Sequence, residues 1–527
     1  MKQISLLYAT GVPPEHIPAD RRVRQRILAD LNLTASGVFA GMDKEKINAA
    51  ADVMLRFDAT GDDIALRAEI ISELEKKPAL LEALNKHFDS VAELKRTANE
   101  QKRLVMRTPE SVHGDTAHLN YNHFISACGF LVSIMRNLRN MGININKQKP
   151  ASKALTELAA YIKELTEESG AAELAEACWL FTRHVNEGVI FDVRARMDQT
   201  LHITELDFTD FRYVRPDKSG MLNNIINALT KIDEKTKKTY IEKDFPESVR
   251  LAGEDPYLKS LTEAHIKRIT KRITLIYEKV IETFLTLADE FSFYAYSAEI
   301  LGLLKSNGIP FCFARFAGVD EQPKIEGLCD ISLALYSNNG AANVVRNDFE
   351  LSEYNRTSII LGPNSSGKTT FLRALGCALL LARCGMPVPA ETAVIEPFSG
   401  LYTHFPRYDA AAKNEGQLSV ELEEISETVY GIKQSGAEVS GGIVLMNESF
   451  SSTGQKDALQ ISVDVLSALS RVGARVIFVT HIASLPSALE KCDYFTGSLG
   501  IYKTTVDNEG NPCYSLSAAN RSPAFPR

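Results

Sequence analysis

The feature that most constrains this chain is a glycine-rich stretch, GPNSSGKT, at residues 362–369. It fits the pattern G-x-x-x-x-G-K-[ST], in which glycines let the backbone wrap closely around phosphate groups. The β-branched, apolar residues 357–360 before it predict a buried strand, and the periodic residues 370–384 after it predict a helix that stops at Gly385. Backbone N–H groups at the start of that helix would point at an anion. The sequence therefore predicts a strand, a phosphate-binding loop and a helix in succession.

The predicted loop contains the residues expected to hold a nucleotide: Gly362, Pro363, Asn364, Ser365, Ser366, Gly367, Lys368, Thr369 and Thr370. In loops of this kind the lysine contacts the β- and γ-phosphates, and the hydroxyl after it ligates Mg²⁺. Lys368 and Thr369 are the expected contacts of these two kinds. ATP and Mg²⁺ are the expected cofactors.

A nucleotide hydrolase also needs an acidic residue after a second strand, and GGIVLMNESF at residues 441–450 supplies one. Residues 443–446 predict a buried strand, and Glu448 after it is the candidate base that orients or deprotonates the attacking water. The position before it, which usually holds Asp, is Asn447. An amide oxygen can accept a hydrogen bond from a metal-bound water but brings no charge. We therefore expect ATP binding with slow hydrolysis.

A third strand is predicted at residues 474–480, ARVIFVT, and His481 follows it. A histidine at the end of a strand beside the nucleotide can sense the γ-phosphate. The alternative is a structural histidine with its hydrogen bonds satisfied. Glu448, His481 and Lys368 are the candidate catalytic residues.

The length of 527 residues predicts more than one domain. Most of the first 320 residues have helical patterns, interrupted by a predicted strand pair near 188–215 and a loop-like stretch, GININKQKPAS, at 142–152. A heptad-like seam over 261–306 predicts a long helix, interpreted either as a buried helix or as a lever between distant parts of the molecule. Strand and helix patterns then alternate. We divide the chain into an N-terminal helical segment of the core (1–110), a helical core with lever helices (111–320) and a P-loop domain (321–527).

Composition excludes several classes of protein. The net charge of −8 argues against a wholly basic surface, and no apolar run reaches the roughly 20 residues of a membrane span. The first residues lack the organisation of a secretory signal. We therefore expect a soluble cytoplasmic protein with no membrane partner.

The order of these motifs resembles the ATPase domain of the MutS family, a branch of the ABC ATPase superfamily. The resemblance rests on GPNSSGKTTFLRALG, MPVPA (386–390), THF (403–405), NESFSST and VTH. It is similar in particular to small bacterial MutS-related proteins, in which Asn-Glu-Ser-Phe replaces the usual Asp-Glu. The resemblance implies an α-helical core and lever region joined to a C-terminal α/β P-loop NTPase domain of the ABC/MutS type.

The resemblance also implies a homodimer in which each nucleotide lies between one subunit's loop and a signature segment of the other. That segment corresponds to residues 414–425, where Gly416, Gln417 and Leu418 stand in place of the family's Ser-Thr-Phe and Ser419 is the substitute hydroxyl. Asn447 takes the metal-side position, Glu448 that of the catalytic carboxylate and His481 that of the switch.

DNA is the expected substrate partner, through basic segments at 135–149, 231–243 and 265–273. The chain leaves no room before the helical core for the domain with which MutS reads mismatches, so structured DNA is favoured over mismatches. The first alternative is a nucleotide-gated scaffold that binds ATP, hydrolyses little of it and recruits a protein partner. The second, a chromosome-maintenance ATPase, would need a long coiled coil between the loop and Glu448, and only about 80 residues separate them.

Overall fold

A computed structural model of the chain describes residues 4–12, 21–33, 44–107, 116–184, 189–199, 203–213, 256–318, 320–336, 344–405, 416–434 and 441–521. The basic segment 231–243 lies outside these residues. Within them, no helix combines the length and the apolar character that a membrane span requires.

The described helices and strands are as follows. The helices are α1 Arg21–Asp30, α2 Lys44–Met54, α3 Gly61–Lys76, α4 Pro78–Arg107, α5 Thr116–Lys147, α6 Lys153–Lys163 (continued by a π-helix, Glu164–Glu168), α7 Gly170–His184, α8 Pro256–Ser306, α9 Ile331–Tyr336, α10 Lys368–Cys384, α11 Gln417–Gln434, α12 Gln455–Arg471 and α13 Leu485–Glu490, with a 3₁₀ turn at Glu353–Asn355. The strands are β1 Val189–Met197, β2 Ile203–Tyr213, β3 Cys312–Phe313, β4 Arg315–Phe316, β5 Lys324–Leu328, β6 Asn347–Glu350, β7 Thr357–Leu361, β8 Pro387–Val388, β9 Thr392–Ile395, β10 Leu401–His404, β11 Ile443–Asn447, β12 Arg475–Thr480, β13 Leu499–Val506 and β14 Pro512–Arg521.

By packing, the chain falls into two compact units. One combines Met1–Lys76 with Glu290–Arg527, and the other is Lys77–Asp289. Helix α8 supplies residues to both. This grouping rests on contacts, whereas the division at 110 and 320 rests on sequence pattern and remains a prediction about how the chain is organised.

The unit Lys77–Asp289 contains α4 to α7, the first part of α8 and an antiparallel pair of strands, β1 and β2. The pair lies where the alternating sequence predicts it. Along α8 the apolar seam is buried, with Ile273, Val280 and Phe284 almost wholly inaccessible. This burial accounts for the heptad-like spacing, since one face of a helix must be apolar to pack in a core.

Helix α5 is longer than its sequence predicts. The stretch beginning at Gly142 has loop composition, yet the helix continues to Lys147. Met141 and Ile145 are fully buried, and a Cβ at Gly142 would lie 2.9 Å from the Ile162 side chain of α6. Close packing of the two helices therefore keeps in helical form a stretch whose local propensity is weak.

The unit Met1–Lys76 with Glu290–Arg527 is built on a six-stranded sheet of order β10-β11-β12-β7-β13-β14. The first five strands are parallel, and β14 returns antiparallel to β13 through a turn at residues 507–511. A smaller sheet of order β4-β9-β5-β6 and the short pair β3-β8 lie in the same unit. Strand β7, which precedes the glycine-rich loop, is thus interior to the large sheet.

Alternate residues of the central strands enter different layers of the core. Val444 and Met446 of β11 pack in one cluster with Leu466 and Leu469 of α12. Leu445, between them, points instead to α10, where its side chain would meet a Cβ at Gly376. The sheet is covered on both faces, as the continuous apolar sequences of its strands require.

The N-terminal residues belong to this unit because two buried arginines bind their carbonyl oxygens. Arg383, near the end of α10, donates to the carbonyls of Phe57 and Ala59. Arg67 of α3 donates to the carbonyl of Leu7 over 3.0 Å. Burial lowers the pKa of Arg383 to about 10, which leaves the guanidinium charged at neutral pH.

The packing around α10 predicts opposite effects for two glycine substitutions. A Cβ at Gly376 would lie 2.5 Å from the side chains of both Leu31 and Leu445, whereas a Cβ at Gly302 of α8 meets nothing within 4 Å. We expect Gly376→Ala to lower the free energy of unfolding by about 1 kcal/mol or more through overpacking. Gly302→Ala should raise it by roughly 0.5–1 kcal/mol because alanine favours the helix. Urea unfolding measures both, and equal effects would contradict this account of the core.

Candidate functional site

The glycine-rich loop leaves the carboxyl end of β7 and enters α10 directly. Gly367 is the N-cap residue of α10 and has a left-handed backbone, φ 88°, which glycine adopts without strain. Ser365 is also left-handed, at φ 64°. These turns bring the chain around at the helix N-terminus, where unpaired N–H groups and the helix dipole favour an anion.

Lys368 is buried at the first position of α10. Its Nζ donates to the carbonyls of Gly362 and Pro363 over 2.9 and 2.8 Å. The same nitrogen lies 3.7 Å from a carboxylate oxygen of Glu448. The ammonium group is therefore held across the loop, facing the carboxylate predicted to act as a base.

Asn447 is the last residue of β11, which lies two strands away from β7 in the sheet, and Glu448 follows it. The Thr369 hydroxyl donates to Asn447 Oδ1 over 2.9 Å. Glu448 has a left-handed backbone, φ 47°, and its amide donates to the carbonyl of Val479 on β12 over 2.8 Å. The structure thus brings Thr369, Asn447, Glu448 and Lys368 together at one edge of the sheet.

A cavity of about 620 Å³ opens beside the loop, within the range of small-molecule and cofactor sites, about 300–1,000 Å³. Residues 364–371 and Glu448 contribute to its lining. The rest of the lining consists of residues that sequence reasoning did not single out: Leu328, Asp330, Leu333, Val344, Val345, Asn347, Ala374 and Tyr514. Apolar side chains predominate among them, and burial raises the pKa of the Asp330 carboxyl. The cavity lining therefore combines the polar loop with apolar side chains from other segments.

Tyr514, one of the lining residues, is held by Asn347. The amide of Asn347 donates to the Tyr514 carbonyl over 3.3 Å and accepts from the Leu516 amide over 2.8 Å. Tyr514 has a left-handed backbone, φ 57°, and its ring lies against Gly367. Tyr514 belongs to β14, and its contact with the loop has no local signal in the sequence.

His481 follows β12 and is exposed. It is not among the described residues that line the cavity. Its role as a γ-phosphate sensor stays a prediction.

These residues fit a phosphate chain with a divalent cation. The Ser366 hydroxyl is buried and, among the described residues, has no hydrogen-bond partner, which leaves a polar group at the loop to be satisfied. Thr369 and Asn447 supply neutral oxygen atoms. Such atoms can ligate Mg²⁺ or accept hydrogen bonds from its bound water. Lys368 supplies the positive charge. The Tyr514 ring and the apolar lining residues offer surface on which a planar base can pack.

Comparison with known proteins bears on the same residues. Residues 358–510 match the family model of MutS domain V. This segment is similar to MutS domain V. The resemblance to the MutS family is confirmed over this segment, which includes the loop, Asn447, Glu448 and His481.

Proteins similar to this part of the chain include DNA mismatch repair proteins named MutS. The protein of Granulibacter bethesdensis is 35% identical over 147 residues, which are 28% of this chain and 15% of that protein. The protein of Thermotoga maritima is 31% identical over 149 residues, 28% of this chain and 18% of that one. The protein of Lactococcus lactis subsp. lactis is 28% identical over 173 residues, 33% of this chain and 20% of that one. The matches thus span a fifth or less of these relatives.

The contact between the loop and Thr504 predicts that one substitution restores stability lost through another. A Cβ at Gly362 would overlap the Thr504 hydroxyl oxygen and lie 3.0 Å from Ser366 Oγ. We expect Gly362→Ala to lower the free energy of unfolding by about 1–3 kcal/mol. Thr504→Ala should recover a large part of this loss in the double variant, because it removes the overlapping atom. Unfolding of the four proteins measures the coupling, and simple additivity of the two changes would contradict the geometry.

Proposed function

We propose that the chain is a MutS-like ATPase that acts on DNA through nucleotide-gated closure of a dimer. The observation that carries the proposal is the grouping of Lys368, Thr369, Asn447 and Glu448 at a cavity within the segment that matches MutS domain V. The loop would bind the phosphates of ATP, and the apolar lining residues would hold the base.

Each of these polar residues would have a role in ATP binding or hydrolysis. Lys368 would exchange its contacts with the loop carbonyls for the β- and γ-phosphates. Thr369 would ligate Mg²⁺, and Asn447 would accept from the metal's water shell. Glu448 would orient and deprotonate the attacking water, because its carboxylate lines the cavity on the side of Lys368. Mg²⁺ supplies charge that neutralises the phosphate oxygens in the transition state.

Dimer closure is proposed from the position of the signature segment. Helix α11 begins at Gln417, and Gly416 and Ser419 at its start are exposed. A helix N-terminus presented in this way can meet the γ-phosphate of a nucleotide held by a second subunit. The described part of the segment has Ser419 as its side-chain hydroxyl, so a contact in trans would rest on that residue together with backbone N–H groups.

The proposed DNA contact lies on α8. Ile269 and Ile273 are buried, and the basic residues between and beside them are exposed: Lys267, Arg268, Lys271 and Arg272. Four exposed cations on consecutive turns can contact successive phosphates without reading sequence. This supports binding to DNA by its backbone or shape, and we propose branched or otherwise structured DNA before mismatches.

A second candidate function is a nucleotide-gated scaffold. Asn447 favours it, because a neutral amide at the metal-side position reduces the negative charge that holds the cation. In that case ATP would close the dimer, turnover would be slow, and a protein partner would read the closed state. The two functions differ in whether hydrolysis depends on Glu448.

ATP turnover by the purified protein tests the proposal. We expect the protein to hydrolyse ATP, with stimulation by branched DNA larger than by perfect or mismatched duplex. Lys368→Ala should lose both binding and turnover, because the phosphates lose their cation. Glu448→Gln should bind ATP but lose turnover by about 10²-fold or more, as expected for removal of a general base. The exposed carboxylate of Glu490 on α13 provides a matched control, and Glu490→Gln should behave as the unmodified protein.

The outcomes separate the two functions. ATP binding with turnover that is the same in Glu448→Gln and in the unmodified protein would exclude the ATPase and favour the scaffold. Absence of ATP binding, with the unmodified protein and Lys368→Ala indistinguishable, would overturn both.

The substitution Asn447→Asp tests why hydrolysis should be slow. Aspartate keeps an oxygen for the Thr369 hydroxyl, now 2.9 Å from Asn447 Oδ1, and adds a charge beside the metal position. We expect turnover to rise severalfold and the Mg²⁺ concentration for half-maximal turnover to fall. A Mg²⁺ titration of both proteins measures this. Equal curves would show that the amide does not limit hydrolysis.

A further inference from the structure

The turn that carries Glu448 has an unfavourable backbone. Glu448 and Phe450 both lie in the left-handed region, at φ 47° and 66°, and neither is glycine. Such conformations cost free energy and persist only where surrounding contacts hold them. Ser449 and Phe450 are buried, so those contacts come from the protein interior. The direction of the Glu448 carboxylate depends on them.

Two side chains from outside the turn hold it. The buried imidazole of His404, the last residue of β10, places Nδ1 2.7 Å from the Ser449 hydroxyl. The Glu421 carboxylate of α11 accepts from the Phe450 amide over 2.7 Å. The rings of His404 and Phe450 also lie 5.9 Å apart, centroid to centroid. Each of the two residues that follow Glu448 is therefore fixed by a buried polar side chain.

The other nitrogen of His404 faces a carboxylate. Its Nε2 lies 3.6 Å from Glu424 of α11, and the second oxygen of Glu424 lies 2.7 Å from Arg26 of α1. A carboxylate paired with arginine is ionised, so it favours a proton on Nε2 of His404. With the proton there, Nδ1 accepts from the Ser449 hydroxyl, which also lies 3.4 Å from the His404 carbonyl oxygen. The ring orientation and the proton position are both set by α11 and α1.

We propose that His404 is the positioning residue for Glu448, linking the catalytic carboxylate to α11 and α1 through Ser449 and Glu424. Its catalytic consequence rests on the proposed ATPase function; its structural consequence, an ordered turn at residues 448–450, does not. His404 does not line the cavity among the described residues, so it acts through the turn and not on the nucleotide.

Two amide substitutions separate the two sides of the ring. The amide of asparagine occupies the place of Nδ1, and the amide of glutamine occupies that of Nε2. His404→Asn therefore keeps a side-chain hydrogen-bonding group beside Ser449. His404→Gln keeps such a group beside Glu424 only. We expect His404→Gln to lower kcat for ATP about tenfold or more with KM within about twofold, because only the carboxylate is misplaced. His404→Asn should retain most of kcat, and Ser449→Ala should resemble His404→Gln.

Hydrogen–deuterium exchange of the peptide containing residues 448–453 gives a readout without nucleotide. We expect faster exchange in His404→Gln and Ser449→Ala than in the unmodified protein, and little change in His404→Asn. The melting temperature of each variant distinguishes a local effect from loss of the fold. Unchanged exchange in His404→Gln would overturn the inference, whatever the turnover. Faster exchange in a protein whose turnover is independent of Glu448 would support the positioning role while overturning the ATPase.

Discussion

The parallel pairing of β7, β12 and β11 is the constraint on which the site depends. Leu361 at the end of β7 pairs with Thr480 of β12. The residue before Thr480, Val479, pairs with Asn447 at the end of β11. Because the strands run the same way, three segments emerge at the same edge of the sheet. They are the glycine-rich loop, the turn that begins at Glu448 and the residues after β12. A one-residue slip would exchange the side chains between the two faces, which are packed differently: Val444 and Met446 meet α12, and Leu445 meets α10. The packing on the two faces therefore fixes the register and, with it, the distances among the polar groups.

Polar groups at this edge are held by other polar groups. The loop carbonyls bind Lys368, the Thr369 hydroxyl binds Asn447, and the turn after Glu448 binds His404 and Glu421. Buried polar networks of this kind are stable only when their members are satisfied together. The N-terminal residues take part, because α1 supplies Arg26 to Glu424. The first 76 residues are thus part of the unit that contains the MutS domain V and contribute to the site's geometry.

Local patterns predicted the elements that form the site. The loop, the helix after it, the strands before Asn447 and His481, and the end of α8 all follow from short-range signals such as apolar runs and glycine positions. The far wall of the cavity had no such signal, since Asp330, Asn347 and Tyr514 lie in unrelated segments. His404 was visible as part of a family-like motif, but its contact with Ser449 was not. In helix α5 the local pattern was misleading. The sequence from Gly142 predicts a loop, but packing against α6 keeps it helical.

Residue types in short segments already specify which chemistry this protein can carry: a lysine and a hydroxyl in a loop that can wrap a phosphate, and a carboxylate after an apolar strand. Those properties depend on residue type and on spacing within a few positions. The tertiary structure decided which groups meet, namely Asn447 with Thr369, Tyr514 with Gly367 and His404 with Ser449. Strand order and side-chain packing join residues that are far apart in the chain. Such contacts produce no periodic pattern in the sequence.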